Sequence, residues 1–411
     1  MTVADGVLTV LAVIALVPIA VLAMETGASL LPARRQTSPL QSPVSAVILI
    51  PAHDEEAGIA RTLRAVLPQL GAQDRVLVVA DNCADRTAAA ARAIGAEVVE
   101  RTDPARRGKG YALAFGLERL QAHPPEIVVV LDADCELAAG ALDCLKSEVV
   151  RTGDPVQALY LLSTRADGDR HRGRLSRFAF LYKNLVRPLG LHRLGLPCLL
   201  TGTGMAFPWN VIRQVDLGTG NIVEDMKLGV DLALLGHCPR FCPEARVQAD
   251  PPPSDGAAAA QRTRWEHGHV QTLLSQAPRL AWGALIQGRP GLLALALELA
   301  VPPLSLLLFA WLAVLTAAVA WWQLAAGSAW PASLLGGAGV VLTLAIVAAW
   351  ARHGRAVLPL QSLLAVPLYV AWKVPIYARL VRRPERTWVR TDRRTGPDPP
   401  VGPAVQTEVP A

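Results

Sequence analysis

Hydrophobic positions fall into three regimes along the chain. Residues 7–23 form an uncharged apolar run broken only by Pro18, a little short of the roughly 20 residues that cross a bilayer. From residue 44 onward, short apolar runs alternate with helical spacing. Residues 47–50, 76–79 and 97–99 read as strands, and Val128-Val129-Val130-Leu131 reads as a fourth, buried on both faces. Between them, Leu63, Val66, Leu67 and Leu70 stand at i, i+3, i+4 and i+7, an Ala-rich helix runs through Ile94, and another covers 110–120. Leu142, Leu145 and Val149 mark a helix after the fourth strand. Such alternation predicts an α/β fold with helices covering a mostly parallel sheet. The third regime begins at residue 292. Residues 292–322 are long enough to cross a bilayer despite Glu298 and Pro302-Pro303, and 331–350 form a second span. Residues 356–380 contain Lys373, Pro359, Pro367 and Pro375, so an interfacial or re-entrant segment is expected there.

Polar residues gather where the predicted strands end: His53-Asp54-Glu55-Glu56, Asp81-Asn82 and Asp132-Ala133-Asp134. Open α/β sheets bind ligands beyond the carboxyl ends of their strands. Asp132 and Asp134 are two apart and would face the same way in an extended chain. Two hard oxygen donors suit a divalent cation, which in turn suits a diphosphate. Many Asp-x-Asp pairs are only surface turns; recurrence after successive strands is what gives this one weight. Arg106-Arg107-Gly108-Lys109-Gly110 opens a helix and reads either as a solvated basic turn or, beside a diphosphate, as an anion contact.

Further along, 170–193 is basic and aromatic, with Phe178, Phe180, Leu181 and Tyr182, and reads as an amphipathic helix near the membrane surface. Thr201-Gly202-Thr203-Gly204 is a flexible turn that fits either close approach to a ligand or a plain connection. Glu224-Asp225 precedes a helix with Leu228, Leu232 and Leu235 on one face. Acidic residues favour helix starts, and the functional alternative is a general base. Gln261, Arg264 and Trp265 stand at i, i+3 and i+4 and share a helix face. An amide, a fixed cation and an indole together suit a sugar and a departing diphosphate.

Composition supports a membrane protein. Hydrophobic residues make up 52%, charged residues 18%, and mean hydropathy is +0.32, too apolar for a soluble enzyme. The net charge of +6 is mostly Arg, scattered and not interleaved with aromatics, which argues against a nucleic-acid partner. A cytoplasmic face lying on anionic lipid accounts for the sign. Only Asp5 is charged before the first apolar run, whereas Arg34 and Arg35 follow it. That order fits an anchor with its N-terminus outside, not a cleaved signal peptide. Arg379, Arg382, Arg383, Arg386, Arg390, Arg393 and Arg394 keep the C-terminus cytoplasmic by the same rule. The six cysteines lack paired CxxC spacing, so neither a disulfide framework nor a zinc site is expected, and Cys238 and Cys242 beside His237 read as buried small hydrophobes.

In this order the motifs resemble the membrane-bound family 2 glycosyltransferases, in particular the cellulose, chitin, hyaluronan and poly-N-acetylglucosamine synthase group. The resemblance covers roughly 46–265. It rests on Pro51-Ala52-His53-Asp54-Glu55-Glu56, Asp81-Asn82-Cys83-Ala84-Asp85, Asp132-Ala133-Asp134, Glu224-Asp225, and Gln261-Arg262-Thr263-Arg264-Trp265 as the QxxRW motif. It implies a GT-A fold, Rossmann-like and cytosolic, joined to transmembrane helices. It further implies that Pro51, His53, Glu55 and Asp81 hold the uridine of a UDP-sugar, that Lys109 and Asp132 serve the diphosphate, and that Asp134 binds Mg²⁺ or Mn²⁺ with Asp132 nearby. By the same carry-over Asp225 is the catalytic base, and Glu224, Gln261, Arg264 and Trp265 line the acceptor and diphosphate side. Cys83 stands where some relatives carry serine, and no clear nucleotide-sensing domain follows the membrane region. Arg386-Thr387-Trp388-Val389-Arg390-Thr391-Asp392-Arg393 resembles the Trp-x-x-Thr-x-Arg ending of some synthases, or is a basic membrane-surface segment.

The resulting organisation is an anchor and linker (1–36, with a Pro/Ser stretch at 37–43), a glycosyltransferase domain (44–286), a membrane domain (287–380) and a basic, then Pro-rich tail (381–411), disordered from Pro397. The expected activity is metal-dependent, inverting transfer of a hexose or N-acetylhexosamine from a UDP-sugar to a growing polysaccharide at the cytoplasmic face of the inner membrane. The alternatives are single transfer to a membrane lipid and an inactive membrane transport or partner-binding component. Whether a membrane subunit or export partner is needed stays open.

Overall fold

The computed structural model describes residues 2–32, 43–163, 171–218, 224–251 and 255–382. Most of the 37–43 linker and nearly all of the 381–411 tail lie outside the described residues. In chain order the elements are α1 (Val3–Ser29), β1 (Ala46–Ala52), α2 (Ile59–Val66), β2 (Arg75–Asp81), α3 (Thr87–Ala93), β3 (Glu97–Arg101), α4 (Lys109–Leu120), β4 (Ile127–Val130), β5 (Cys135–Leu137), α5 (Ala141–Thr152) and β6 (Val156–Leu162). There follow α6 (His171–Leu181), a π-helical turn (Tyr182–Val186), α7 (Arg187–Arg193), β7 (Met205–Pro208), α8 (Trp209–Ile212), α9 (Glu224–Leu234), β8 (Arg240–Ala249) and α10 (Asp255–Gln287). The chain continues with α11 (Pro290–Ala300), α12 (Leu304–Leu324), α13 (Trp330–Ala349) and α14 (Val366–Arg382).

The predicted alternation builds the first half of an eight-stranded sheet of order β3-β2-β1-β4-β7-β6-β8-β5. Strands β3, β2, β1 and β4 are parallel. The continuous apolar runs of β2, β1 and β4 are buried on both faces, as expected of strands covered by helices, whereas β3 is a part-exposed edge strand. Ile48, Ile50, Val78 and Val129 face one core, under α2, α3 and α5. Val47, Leu49, Val79 and Val128 face the other, with Leu113 of α4 and Leu232 of α9. Pro68 ends α2 early, and Leu67 and Leu70 pack at the edge of the core from a 3₁₀ turn and beyond it. Four strands were not legible: β5 and β7 are three and four residues long, and β6 and β8 interrupt their apolar pattern with Gln157, Pro243 and Glu244. They add antiparallel pairings β4–β7, β7–β6 and β8–β5 and curl the sheet beside the parallel half. This is the GT-A fold, a mostly parallel curled sheet.

The membrane regime departs from the sequence reading in three places. The first apolar helix runs past 23 to Ser29, taking Glu25 into its buried face. The expected single span 292–322 is two helices, because Pro302 and Pro303 leave α11 as an 11-residue apolar helix packed on α9 and α10. Three helices among the described residues are long and apolar enough to cross a membrane: Val3–Ser29, Leu304–Leu324 and Trp330–Gly354. The basic aromatic stretch 170–193, expected near the membrane surface, is instead an inner layer: Phe178, Tyr182, Leu185 and Val186 are buried with Ile19 and Leu22 of α1 and Ala345 and Ala349 of α13. The shorter helix α14 contacts α12 and α6. Leu235, predicted on the buried face of its helix, lies just beyond α9 and is exposed.

The joint between α1 and the inner layer is polar and dry. Glu25 is fully buried and accepts from Arg187 Nε (2.5 Å) and Nη2 (3.2 Å), while Arg187 Nη2 also donates to the Glu298 carbonyl (2.7 Å). Gly190 lies so close to Glu25 that an added Cβ would sit 1.9 Å from its carbonyl oxygen. Breaking a buried pair strands a charge, at about 3–5 kcal/mol, whereas apolar replacement of both partners is often neutral. Glu25→Ala should therefore lower the thermal unfolding midpoint in detergent sharply, and Glu25→Leu/Arg187→Met should recover most of the loss.

Candidate active site

The carboxyl ends of β1 and β2 carry two loops that brace each other. Asp54 and Asn82 both adopt left-handed backbone (φ 52° and 50°), a region Asp and Asn tolerate better than most side chains. Asp54 Oδ1 accepts from Ala84 N (2.6 Å), Glu55 N donates to Thr87 Oγ1 (2.7 Å), and Glu56 N donates to Asp85 Oδ2 (3.0 Å). His53 Nδ1 donates to the Asp81 carbonyl (2.7 Å). Asp81 is buried, and its Oδ1 accepts from Arg101 Nη1 (2.6 Å) and Asn82 Nδ2 (3.0 Å). A buried carboxylate with a guanidinium partner keeps a fixed direction, which suits it to reading one edge of a ligand.

After β4 the chain turns, so Asp132 and Asp134 converge from a turn and not from an extended strand. One oxygen of each lies within 4.8 Å of the other and of Cys135 Sγ. Burial pushes the Cys135 thiol well above its ordinary range, so it stays protonated and the usable donors are carboxylate oxygens. Two such oxygens fit a hard divalent cation such as Mg²⁺ or Mn²⁺. Lys109, the first residue of α4, donates to Asp132 and to the Gly202 carbonyl (2.5 Å). Burial works against its charge, but Asp132, Glu224 and Asp225 outweigh it and hold its pKa above the ordinary value.

The 201–204 turn is part of this floor. Gly202 has φ +93°, and a Cβ there would lie 3.2 Å from Asp225 Oδ2, so a side chain would be strained and would crowd the carboxylate. Thr203 Oγ1 accepts from Asp132 N (3.0 Å). Gln157, buried in β6, accepts from Thr201 N (2.8 Å) and donates to the Thr203 carbonyl (2.9 Å). Glu224 and Asp225 open α9, within the helix and not before it. Burial raises Asp225 above the ordinary carboxylate range against the pull of Lys109 and Lys183. Burial pushes Glu224 up to about 8, with Lys109 opposing and Asp225 and Asp132 reinforcing the shift.

Helix α10 closes the far wall. Trp265 lies against Phe180 (ring centroids 5.7 Å), which meets Tyr160 edge-on (5.1 Å). One turn on, Glu266 pairs with Lys373 of α14, His267 Nε2 donates to the Ile376 carbonyl (3.1 Å), and His269 Nε2 donates to the Val301 carbonyl (3.1 Å). Burial drives His269 down to about 3, with Lys183 and Arg187 adding to the effect, so the ring is neutral. Pro51, His53, Glu55, Asp81, Lys109, Asp132, Asp134, Glu224, Asp225, Gln261, Arg264 and Trp265 all line one cavity of about 1030 Å³.

The family model for glycosyltransferase-like family 2 matches residues 43–268, more than half of the chain. The chain belongs to this family. The mannosyltransferase PcManGT from Pyrobaculum calidifontis, solved with GDP-Man and Mn²⁺, is similar over 82% of this chain and 98% of its own, at 20% identity and TM-score 0.50. Glucosyl-3-phosphoglycerate synthase from Mycobacterium tuberculosis, solved with Mn²⁺, UDP and phosphoglyceric acid, is similar over 55% of this chain and 78% of its own, at 22% identity and TM-score 0.37. No curated protein sequence matches the chain.

Sequence reasoning missed three residues that line this glycosyltransferase's cavity or brace its lining. Arg101 fixes Asp81 from β3, and its signal was only a polar residue at a strand end. Lys183 lines the cavity from a π-helical turn of a segment read as an amphipathic helix near the membrane surface, and Gln157, which braces the 201–204 turn, breaks an apolar strand without any motif around it. The Glu224 shift sets the sign of a stability test. A carboxyl raised from 4.5 to about 8 keeps a proton in the native state that the unfolded chain has released, so stability falls as pH rises from about 4.5 through 8. Glu224→Gln removes that loss. Its unfolding midpoint relative to the unsubstituted enzyme should rise progressively between pH 5 and pH 9.

Proposed function

We propose that this family 2 glycosyltransferase is of the membrane-bound QxxRW type and moves a hexose or N-acetylhexosamine from a UDP-sugar, with inversion, to an acceptor hydroxyl at the cytoplasmic membrane face. One observation carries the reading: the twelve residues proposed for donor, metal, base and acceptor come from six separate stretches between residues 51 and 265 and line a single cavity. In this reading the paired 51–56 and 81–87 loops hold the nucleoside, with Asp81 aimed by Arg101. Lys109, at the start of α4, and Arg264 lie on the diphosphate side, where negative charge develops as the bond to the sugar breaks.

The acceptor oxygen attacks the anomeric carbon opposite the leaving diphosphate, so an α-linked donor gives a β-linked product. A sugar or lipid hydroxyl is a weak nucleophile at neutral pH. Asp225 takes its proton during attack, an effect of about 10²–10⁴-fold. Gln261 and the Trp265 face, stacked on Phe180, would hold the acceptor. Asp134 with Asp132 would hold Mg²⁺ or Mn²⁺, which when bound neutralises charge on the departing diphosphate. The Mn²⁺ bound by PcManGT supports a cation here. Intact Asp132, Asp134, Asp225 and QxxRW residues in one cavity weigh against an inactive transport or partner-binding component.

Release of nucleotide diphosphate from a panel of UDP-hexoses, UDP-N-acetylhexosamines and GDP-mannose tests the reading and assigns the donor. Asp225→Asn should lower kcat by about 10²–10⁴-fold with little change in donor KM. No difference between the two enzymes would overturn its role as base. Chelation with EDTA should abolish turnover, and Mg²⁺ or Mn²⁺ should restore it to the unsubstituted enzyme but restore far less to Asp134→Asn.

A further inference from the structure

The cavity does not end at the acceptor side of the site. Beyond Asp225 it continues past Lys183, whose charge acts on both Asp225 and His269, to the Val301 carbonyl that His269 binds. From there its lining becomes largely alkyl: Leu22 of α1, Leu304 and Leu308 of α12, Ile346 of α13, Val366 of α14 and Leu363 of the 3₁₀ turn before it, with Ser305, Tyr369 and Lys373 among them. Three of those four helices carry the apolar lengths that cross a membrane. A volume of about 1030 Å³ stands at the upper end of the roughly 300–1,000 Å³ usual for small-ligand clefts.

We infer that the acceptor is an amphiphile, a membrane lipid with a hydroxylated headgroup, whose hydrocarbon chain occupies the compartment between Leu22, Leu304, Leu308 and Ile346 while its hydroxyl faces Asp225. The inference rests on the glycosyl-transfer reading above and adds the substrate class. A polysaccharide in transit is bound by polar groups and aromatic faces, which the Trp265–Phe180–Tyr160 wall offers beside the donor. The alkyl side chains at the other end offer such a polymer no hydrogen bonds, and Ser305 and Lys373 beside them already pair with Tyr377 and Glu266, whereas a lipid chain gains contact along its length. The compartment is continuous with the catalytic floor and walled by the membrane helices. A lipid already lying in the bilayer thus needs only its head to reach the base.

The test uses the full chain in nanodiscs, with the donor identified by nucleotide release. A series of n-alkyl β-glucosides from butyl to dodecyl serves as acceptors below their micellar concentrations. Acceptor KM should fall by about fourfold per added methylene until the compartment is filled. Leu308→Trp should raise KM for the long-chain members at least tenfold and flatten the series. Val340→Trp, on the exposed face of α13, should leave KM within twofold. A diazirine-bearing alkyl glycoside, photolysed without donor, should label segments carrying Leu308 and Ile346, with labelling lost in Leu308→Trp. A KM independent of chain length, a ladder of elongated soluble oligosaccharides with no labelled lipid, or labelling confined to the outer faces of α12 and α13 would overturn the inference. Absence of nucleotide release from every donor, with the chain-directed labelling intact, would instead overturn the transferase reading and leave the lipid compartment standing.

Discussion

Three carboxylates share one small floor, and the ammonium of Lys109 is what permits it. Asp132 binds it directly, and Glu224 and Asp225 lie near enough to raise its pKa. Without a fixed cation, burial and mutual repulsion would drive the group toward protonation, as Glu224 already shows at about 8. The placement of Lys109 therefore shapes the rest. It starts α4 directly after Gly108 (φ +131°), and Gly116 brings that helix so close to the sheet that a Cβ would lie 2.5 Å from Leu49. The second contact of Lys109, to the Gly202 carbonyl, pins the 201–204 turn beneath Asp225. Asp132 and Asp225 are thus held by one cation and one turn.

The opposite wall is positioned from the membrane. Gln261, Arg264 and Trp265 face the cavity, and the next four residues of the same helix hold α14 and the α11–α12 break through Glu266, His267 and His269. A helix is stiff over two turns, so displacement of those elements must move this wall relative to Asp225. The ion pair of Arg187 with Glu25 fastens α1 to the same inner layer, two turns of chain from Phe180. The packing of the apolar helices and the geometry of this cavity wall are thus one mechanical system.

Much of this was legible in the residues. The β-branched runs revealed β1, β2 and β4 because burial on both faces leaves no polar alternation to misread, and the edge strand β3 showed only through Val98 and Val99. The residues carried over from the motifs all line the cavity: those from β1, β2 and β4 stand at or just beyond strand ends, which meet at the sheet edge, and the others reach it from α4, α9 and α10. The mixed half, where β6 and β8 run parallel and β7 and β5 antiparallel to them, was not legible. Strand β7 is four residues long, and β6 and β8 mix polar and apolar positions that acquire meaning only through cross-strand partners. The 170–193 segment misled for a different reason. Its arginines suggested a wet face, yet Arg187 is buried against Glu25, a residue 162 positions earlier whose pairing no local pattern announces. Lys183 was hidden by the same density of charge.

The proline pair at 302–303 shows how such a misreading can be physically informative. By hydropathy, 292–322 is one span, and in lipid a break would expose carbonyls with no donor to meet them. Irregular backbone at membrane depth is tolerated only where protein buries it or a cavity adjoins it. Both conditions hold: Val301, Pro302 and Pro303 line the cavity, and His269, kept neutral by burial and by nearby Lys183 and Arg187, donates to the Val301 carbonyl. A charged imidazole there would bring a third cation beside Lys183 and Arg187, whereas a neutral ring can donate one hydrogen bond without adding charge. The break therefore belongs to the wall of the site. It turns α12 away from α11 at the point where the cavity lining changes from ionisable groups to leucines.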